Sequence, residues 1–155
     1  GGNLTIVTTM ALRDNPAAVP VLVQHPIYPV VTDSNDWQSM RDFAEGFLLT
    51  RDSMDYFHAA YAADANDYRG APIKFSQEGM PPSLVTTASL DPLRDQGLAY
   101  VEALKAAGVP VQHCSADGNI HGHITLRKGI PSSKEDVAGN LAALKAMLAE
   151  VMADA

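Results

Sequence analysis

Cysteine occurs once in this chain of 155 residues, at Cys114. That excludes an intrachain disulfide and any cysteine-based metal cluster, and Cys114 itself reads as a buried structural thiol within a strand. Long apolar runs are missing too. Nothing approaches the length of a membrane-spanning helix, and no basic n-region with an apolar core opens the chain as a signal peptide would. These absences predict a reduced, cytoplasmic protein with no membrane partner. Basic charge is scarce: 11 Lys and Arg face 18 Asp and Glu, for a formal net charge of −7. Without a basic patch, nucleic acid and anionic lipid are poor partners. H-E-x-x-H, P-loop and G-x-G-x-x-G fingerprints are absent, so neither a metal nor a nucleotide cofactor is expected. An initiator Met is lacking as well. Gly1-Gly2-Asn3-Leu4 runs straight into an apolar segment and reads as the start of a divided polypeptide.

What is present is an average globular composition, 46% hydrophobic and 19% charged, in a length sufficient for one core. Residues 2 to 13 read as a buried helix ending at Asp14-Asn15-Pro16. Val19 to His25 is a continuous apolar run that predicts a strand covered on both faces. Helical spacing follows over Trp37 to Phe47 and over Thr50 to Ala63, with Thr50 and Asp52 as N-cap candidates. Asp64 to Pro82 reads as a long irregular loop. Ser83 to Ser89 predicts a second strand, rich in β-branched residues. Asp91-Pro92 then opens a helix to Ala107, with Gly108 closing it. Val109 to Ser115 predicts a third strand near a sheet edge, Asp117 to Gly122 a polar loop, and Ser133 to Val151 an amphipathic helix. Strands alternating with helices predict an α/β fold with a parallel sheet.

Ligands bind at the carboxyl ends of such strands. Two loops there hold ionisable groups, Asp91 after the second strand and His121 after the third. A carboxylate facing an imidazole is the acid-and-base half of a catalytic triad. Both residues have plainer readings: Asp-Pro is a good N-cap and N1 pair, and His121 sits in a Gly-containing polar turn. His123 competes with His121 for the role of base. His25, before Pro26, reads as a core histidine bonded to backbone, while His58 and His113 lack partners at ligand spacing. No serine here lies in a G-x-S-x-G elbow.

The chain resembles the C-terminal half of the hormone-sensitive-lipase-like esterases, a branch of the α/β-hydrolases. Gly1-Gly2-Asn3-Leu4 is similar to the end of that family's G-D-S-A-G-G-N-L elbow, which would set the serine two positions before residue 1. Ile27-Tyr28-Pro29 resembles its I-Y-P strand end, and Phe43 to Thr50 its F-A-E-G-x-x-L-T segment. Asp91-Pro92-Leu93-Arg94-Asp95 matches its D-P-L-R-D motif, Ala106 to Val111 its approach to the last strand, and His121-Gly122 its H-G-F motif. The resemblance implies Asp91 as triad acid, His121 as base and Leu93 at the substrate pocket. It also implies an oxyanion loop upstream. His123 stands where the family carries Phe, which predicts a more polar pocket wall.

The expectation is therefore the C-terminal portion, residues 1–155, of a single α/β-hydrolase catalytic domain. It would hydrolyse small carboxylic esters through an acyl-enzyme. Its partner would be an N-terminal half that carries the nucleophilic serine, and alone it would be inactive. Pairing of the last strand's free edge could give a homodimer. The competing reading is a non-catalytic α/β binding module in which Asp91 only caps a helix.

Overall fold

The structure is a computed structural model and describes residues 1–153. Its architecture is α/β, with parallel strands flanked by helices. Helix α1 (Gly2–Asp14) buries Ile6, Val7 and Met10, a helical spacing that gives it one apolar face. It stops at Asn15-Pro16, as the breaker predicts. The Arg13 guanidinium then ties its end to the carbonyls of Ser76 and Glu78, at 2.7 and 3.2 Å.

Helix α2 (Gln38–Asp42) is much shorter than the segment expected over Trp37 to Phe47. Gly46 and Leu48 both take positive φ, +84° and +73°, and a right-handed helix accommodates neither. Helix α3 (Arg51–Tyr61) starts where predicted, the Thr50 hydroxyl accepting the Ser53 N–H at 3.1 Å. Residues 64 to 82 form the expected irregular loop, interrupted by a 3₁₀ turn at Pro72–Lys74.

Strand β1 (Ser83–Leu90) pairs in parallel with β2 (Val111–Ile120), and α4 (Arg94–Ala106) crosses between them. Six consecutive residues of β1 are buried, so both its faces are covered. The close fit of α4 on β1 depends on Gly97, where a Cβ would stand 2.6 Å from Thr87 Cγ2. Gly108, at φ +71°, follows α4 and lets the chain reverse into β2. Helix α5 (Ser133–Ala153) packs against β2 and β1.

Two expectations about the sheet need correction. The run from Val19 to His25 does not form a regular strand, and Val19 is 77% exposed. Pro20 and Pro26 remove ladder donors, so only residues 24 to 28 run along β1. They are held by Leu84 N–H to Gln24 O, Thr86 N–H to Pro26 O and Tyr28 N–H to Thr86 O. The last strand also outlasts its prediction. It continues to Ile120 through most of the segment read as a polar loop. Between the pairs Ala88–Ala116 and Leu90–Ile120 it carries two more residues than β1, a bulge at which Gly118 takes φ +73° and donates to Ser89 Oγ. Among the described residues, no helix is long and apolar enough to cross a membrane.

Candidate active site

Asp91 and His121 come together at the carboxyl ends of β1 and β2. Asp91 directly follows β1 and is fully buried. Its Oδ1 accepts the Leu93 N–H at 2.8 Å, and its carbonyl accepts the Arg94 N–H. The plainer sequence expectation was Asp91 as the N-cap of a helix, whereas α4 begins three residues later and the side chain closes a tight turn ahead of it. That turn leaves Oδ2 free, and it meets His121 Nδ1 at 2.8 Å. An ionised carboxylate only accepts, so this contact selects the tautomer with the proton on Nδ1. Nε2 is the nitrogen left for the cavity that His121 lines. The bulge in β2 supplies the extra chain that brings His121 level with the end of β1.

The rest of the D-P-L-R-D stretch fixes this turn from outside. Asp95 Oδ2 accepts the Ser39 N–H at 2.8 Å, and Ser39 Oγ donates to the Pro92 carbonyl at 2.8 Å. The first turn of α2 is thereby locked to the start of α4. Arg94 pairs with Asp95 at 2.9 Å and lies over the Phe43 ring.

The cavity has a volume of about 380 Å³, inside the range of small-molecule sites. Gly1 to Leu4 at the start of α1 form one side and Tyr28, Val30 and Leu93 another. Met54, Phe57, His58 and Tyr61 of α3 form a third. Leu93 is buried against Met40, Leu49 and Met54, so it serves the core and the cavity wall together. Gly2 is required where α1 meets the chain at Ile27 to Pro29, since a Cβ there would stand 2.5 Å from the Ile27 carbonyl oxygen.

Several sequence readings change here. His123 is not on the cavity wall: it is fully buried behind it, Nδ1 against the Ile120 carbonyl at 3.2 Å and Nε2 without a partner. It faces no carboxylate at hydrogen-bond distance, and desolvation lowers its pKa. The expected polar pocket wall is therefore absent at this position. His25 bonds the Thr86 hydroxyl at 3.0 Å and not backbone. His113 bonds the Thr87 hydroxyl at 2.8 Å. Cys114 is only partly buried, not fully as predicted. No group of three His, Cys, Asp or Glu among the described residues could hold a metal.

Tyr28 went unassigned in the sequence. Its ring stands 4.2 Å from the His121 ring, centroid to centroid, at 51°. The strand-end position before Pro29 was the one available signal. The α3 wall had a signal as well: residues 54, 57, 58 and 61 repeat at helical spacing.

Comparison with known proteins agrees with the α/β architecture. A family model described as alpha/beta hydrolase fold matches residues 1–125. The carboxylic ester hydrolase LipN of Mycobacterium tuberculosis is 35% identical, over 97% of this chain and 42% of its own length. The ethyl acetate hydrolase of Pseudomonas putida is 33% identical, over 94% of this chain and 47% of its own. A crystal structure of a thermostable esterase from Pseudomonas putida superposes with a TM-score of 0.85 at 32% identity, covering 96% of this chain and 49% of that one. The chain thus spans about half the length of the relatives it matches. It belongs to the α/β-hydrolase fold family, in the hormone-sensitive-lipase-like branch of carboxylesterases.

Proposed function

We propose that the chain is the C-terminal portion of one catalytic domain and supplies the acid and base of a carboxylic ester hydrolase. The observation that carries this is the 2.8 Å contact of His121 Nδ1 with the buried Asp91 Oδ2, at the wall of a largely apolar cavity. The nucleophilic serine belongs to an upstream N-terminal segment, as does the oxyanion loop. His121 Nε2 takes the serine proton as the hydroxyl attacks the ester carbonyl. The protonated ring then gives that proton to the departing alcohol, leaving an acyl-enzyme. Water is activated by the same nitrogen in the second half-reaction. Asp91 keeps the ring in its productive tautomer and stabilises the imidazolium. Leu93, with the α3 side chains, shapes the wall against which the ester's apolar part lies.

The relatives' activities on carboxylic esters and ethyl acetate support a small ester as substrate. The outer edge of β2, unpaired among the described residues, is the surface for a homodimer, and a reduced, cytoplasmic setting fits the single thiol of Cys114.

The rival reading, Asp91 as a helix cap only, draws on the Oδ1 bond to the Leu93 N–H. Each oxygen has its own partner, so that bond accounts for half of the side chain. The discriminating experiment is hydrolysis of short-chain aryl esters by the full-length protein. We expect Asp91→Asn to lower kcat by about 10⁴-fold and His121→Ala to lower it at least as much, with folding intact. Activity that survives both substitutions contradicts the assignment.

A further inference from the structure

We propose that Tyr28 is a positioning residue for His121: its ring holds the imidazole against Asp91 and favours the cationic form that arises during turnover. This rests on the reading of His121 as the base. Three independent features of Tyr28 converge on it.

The first is backbone strain. Tyr28 has φ +35°, a conformation that side chains other than glycine seldom adopt. The Pro29 that follows narrows its choices further. Such strain persists only where the surroundings over-determine it, and it collects at functional sites. The surroundings here are explicit: Tyr28 N–H donates to Thr86 O at 2.7 Å. On the other side α1 presses on Pro29, close enough that Gly2 admits no Cβ.

The second feature is what the strained backbone achieves. It brings the Tyr28 ring to 4.2 Å from His121, and the edge of His123 meets the same ring at 5.7 Å and 72°. The imidazole of His121 is therefore fixed by Asp91 through Nδ1 and by Tyr28 through its ring, while His123 backs Tyr28 from within the core. A conventional φ at residue 28 would send this ring elsewhere.

The third is electrostatic. An aromatic ring within about 6 Å of a cation attracts it. The charged or titratable groups around His121 are Asp91 after β1, Tyr28, His123 two residues on, His58 and Tyr61 of α3 on the wall of the same cavity and, beyond His123, Asp136 of α5. Burial lowers the pKa of His123, and burial together with the Asp91 charge raises that of the Tyr28 hydroxyl. Asp91 and the Tyr28 ring are then the two groups in direct contact with His121 that favour an imidazolium, and of these only Tyr28 lacks a formal charge.

The experiment compares Tyr28→Leu and Tyr28→Phe with the unsubstituted full-length hydrolase, reading kcat, KM and the pH dependence of kcat/KM. Tyr28→Leu keeps the branched bulk and removes the ring. We expect kcat to fall about 10- to 100-fold with KM changed less than threefold, because what is lost is orientation of the base. The acidic limb of kcat/KM should move down by about half a pH unit as the cation loses its ring. Tyr28→Phe keeps the ring and should stay within about threefold of the parent, with its acidic limb unmoved. Thermal melting of each variant separates misfolding from misplacement, and a folded Tyr28→Leu is the informative case. If Tyr28→Leu misfolds, Tyr28→Phe with a shifted limb contradicts the proposal and with an unshifted limb supports it. A folded Tyr28→Leu with parental kcat and pH profile overturns it. So does a rise in KM alone, which would make Tyr28 a substrate contact. His121→Ala in the same series keeps the two readings apart: if it retains activity, the assignment of the base itself has failed.

Discussion

At the scale of single residues, the decisive feature is how Asp91 divides its two oxygens. Oδ1 takes the Leu93 N–H and Oδ2 takes His121 Nδ1, so the turn ahead of α4 and the proposed role as triad acid are two uses of one side chain. The sequence posed them as alternatives because spacing shows neither direction nor which oxygen is engaged. The histidines show the same limit. All five were legible as positions, yet their partners separate them: His121 meets Asp91, His25 and His113 meet threonine hydroxyls, and His123 lies buried against the Ile120 carbonyl. His25, His113 and His123 all have pKa values pushed below 6.5 by desolvation. A folded-state pKa below the unfolded one means the unfolded chain takes up protons first. Above pH 6.5 the three groups contribute nothing to the pH dependence, and as pH falls through that value stability is lost. The Tm should therefore be level between pH 7 and 8 and decline below about pH 6.5. This is well above the region where the lowered carboxylates Asp14 and Asp33 would act. His123→Phe removes the fully buried member of the set, whose Nε2 has no partner. Its melting curves between pH 7.5 and 5.5 should fall less steeply than the parent's, and an equal slope would show that His123 does not titrate with unfolding.

At the scale of elements, long periodic segments were legible and their surroundings were not. Helices α1, α4 and α5 and strand β1 lie within a few residues of their predictions, because each carries a clear period and a recognisable stop. The stretch from Trp37 to Phe47 has helical spacing too, but positive φ at Gly46 near its end and at Leu48 just beyond it diverts the chain. The stripe of α3 at residues 54, 57, 58 and 61 could be read as a core face. It became the cavity wall instead, because Phe57 and Tyr61 remain half exposed there. The β2 bulge was invisible, since it depends on pairing with β1. Contact of α4 with β1 makes a sharper test. Gly97→Ala would drive its Cβ against Thr87 Cγ2, costing about 1–3 kcal/mol. Thr87→Ser removes that methyl and keeps the hydroxyl on His113. Denaturant midpoints of the two single variants and the double should show recovery in the double. Simple additivity would mean that α4 does not sit as described.

At the scale of the whole molecule, the order of segments across the sheet is residues 24–28, β1, β2, and its parallel sense followed from the alternation of strands and helices. The sequence did not reveal how much apolar surface this chain leaves uncovered. Val19, Leu141 and Met152 are more than half exposed. On the proposed reading, an upstream half covers part of that surface and brings its serine to His121 Nε2. The central claim is thus that Asp91 and His121 activate a serine outside this chain. It is tested most directly by intact-mass measurement of fluorophosphonate labelling of the full-length protein, beside its His121→Ala and Asp91→Asn variants. Such reagents capture a serine that has been activated by a neighbouring base. We expect one adduct on an upstream serine, formed rapidly in the parent and slowed by orders of magnitude in both variants. Equal labelling in all three proteins, or no labelling of the parent, would contradict it.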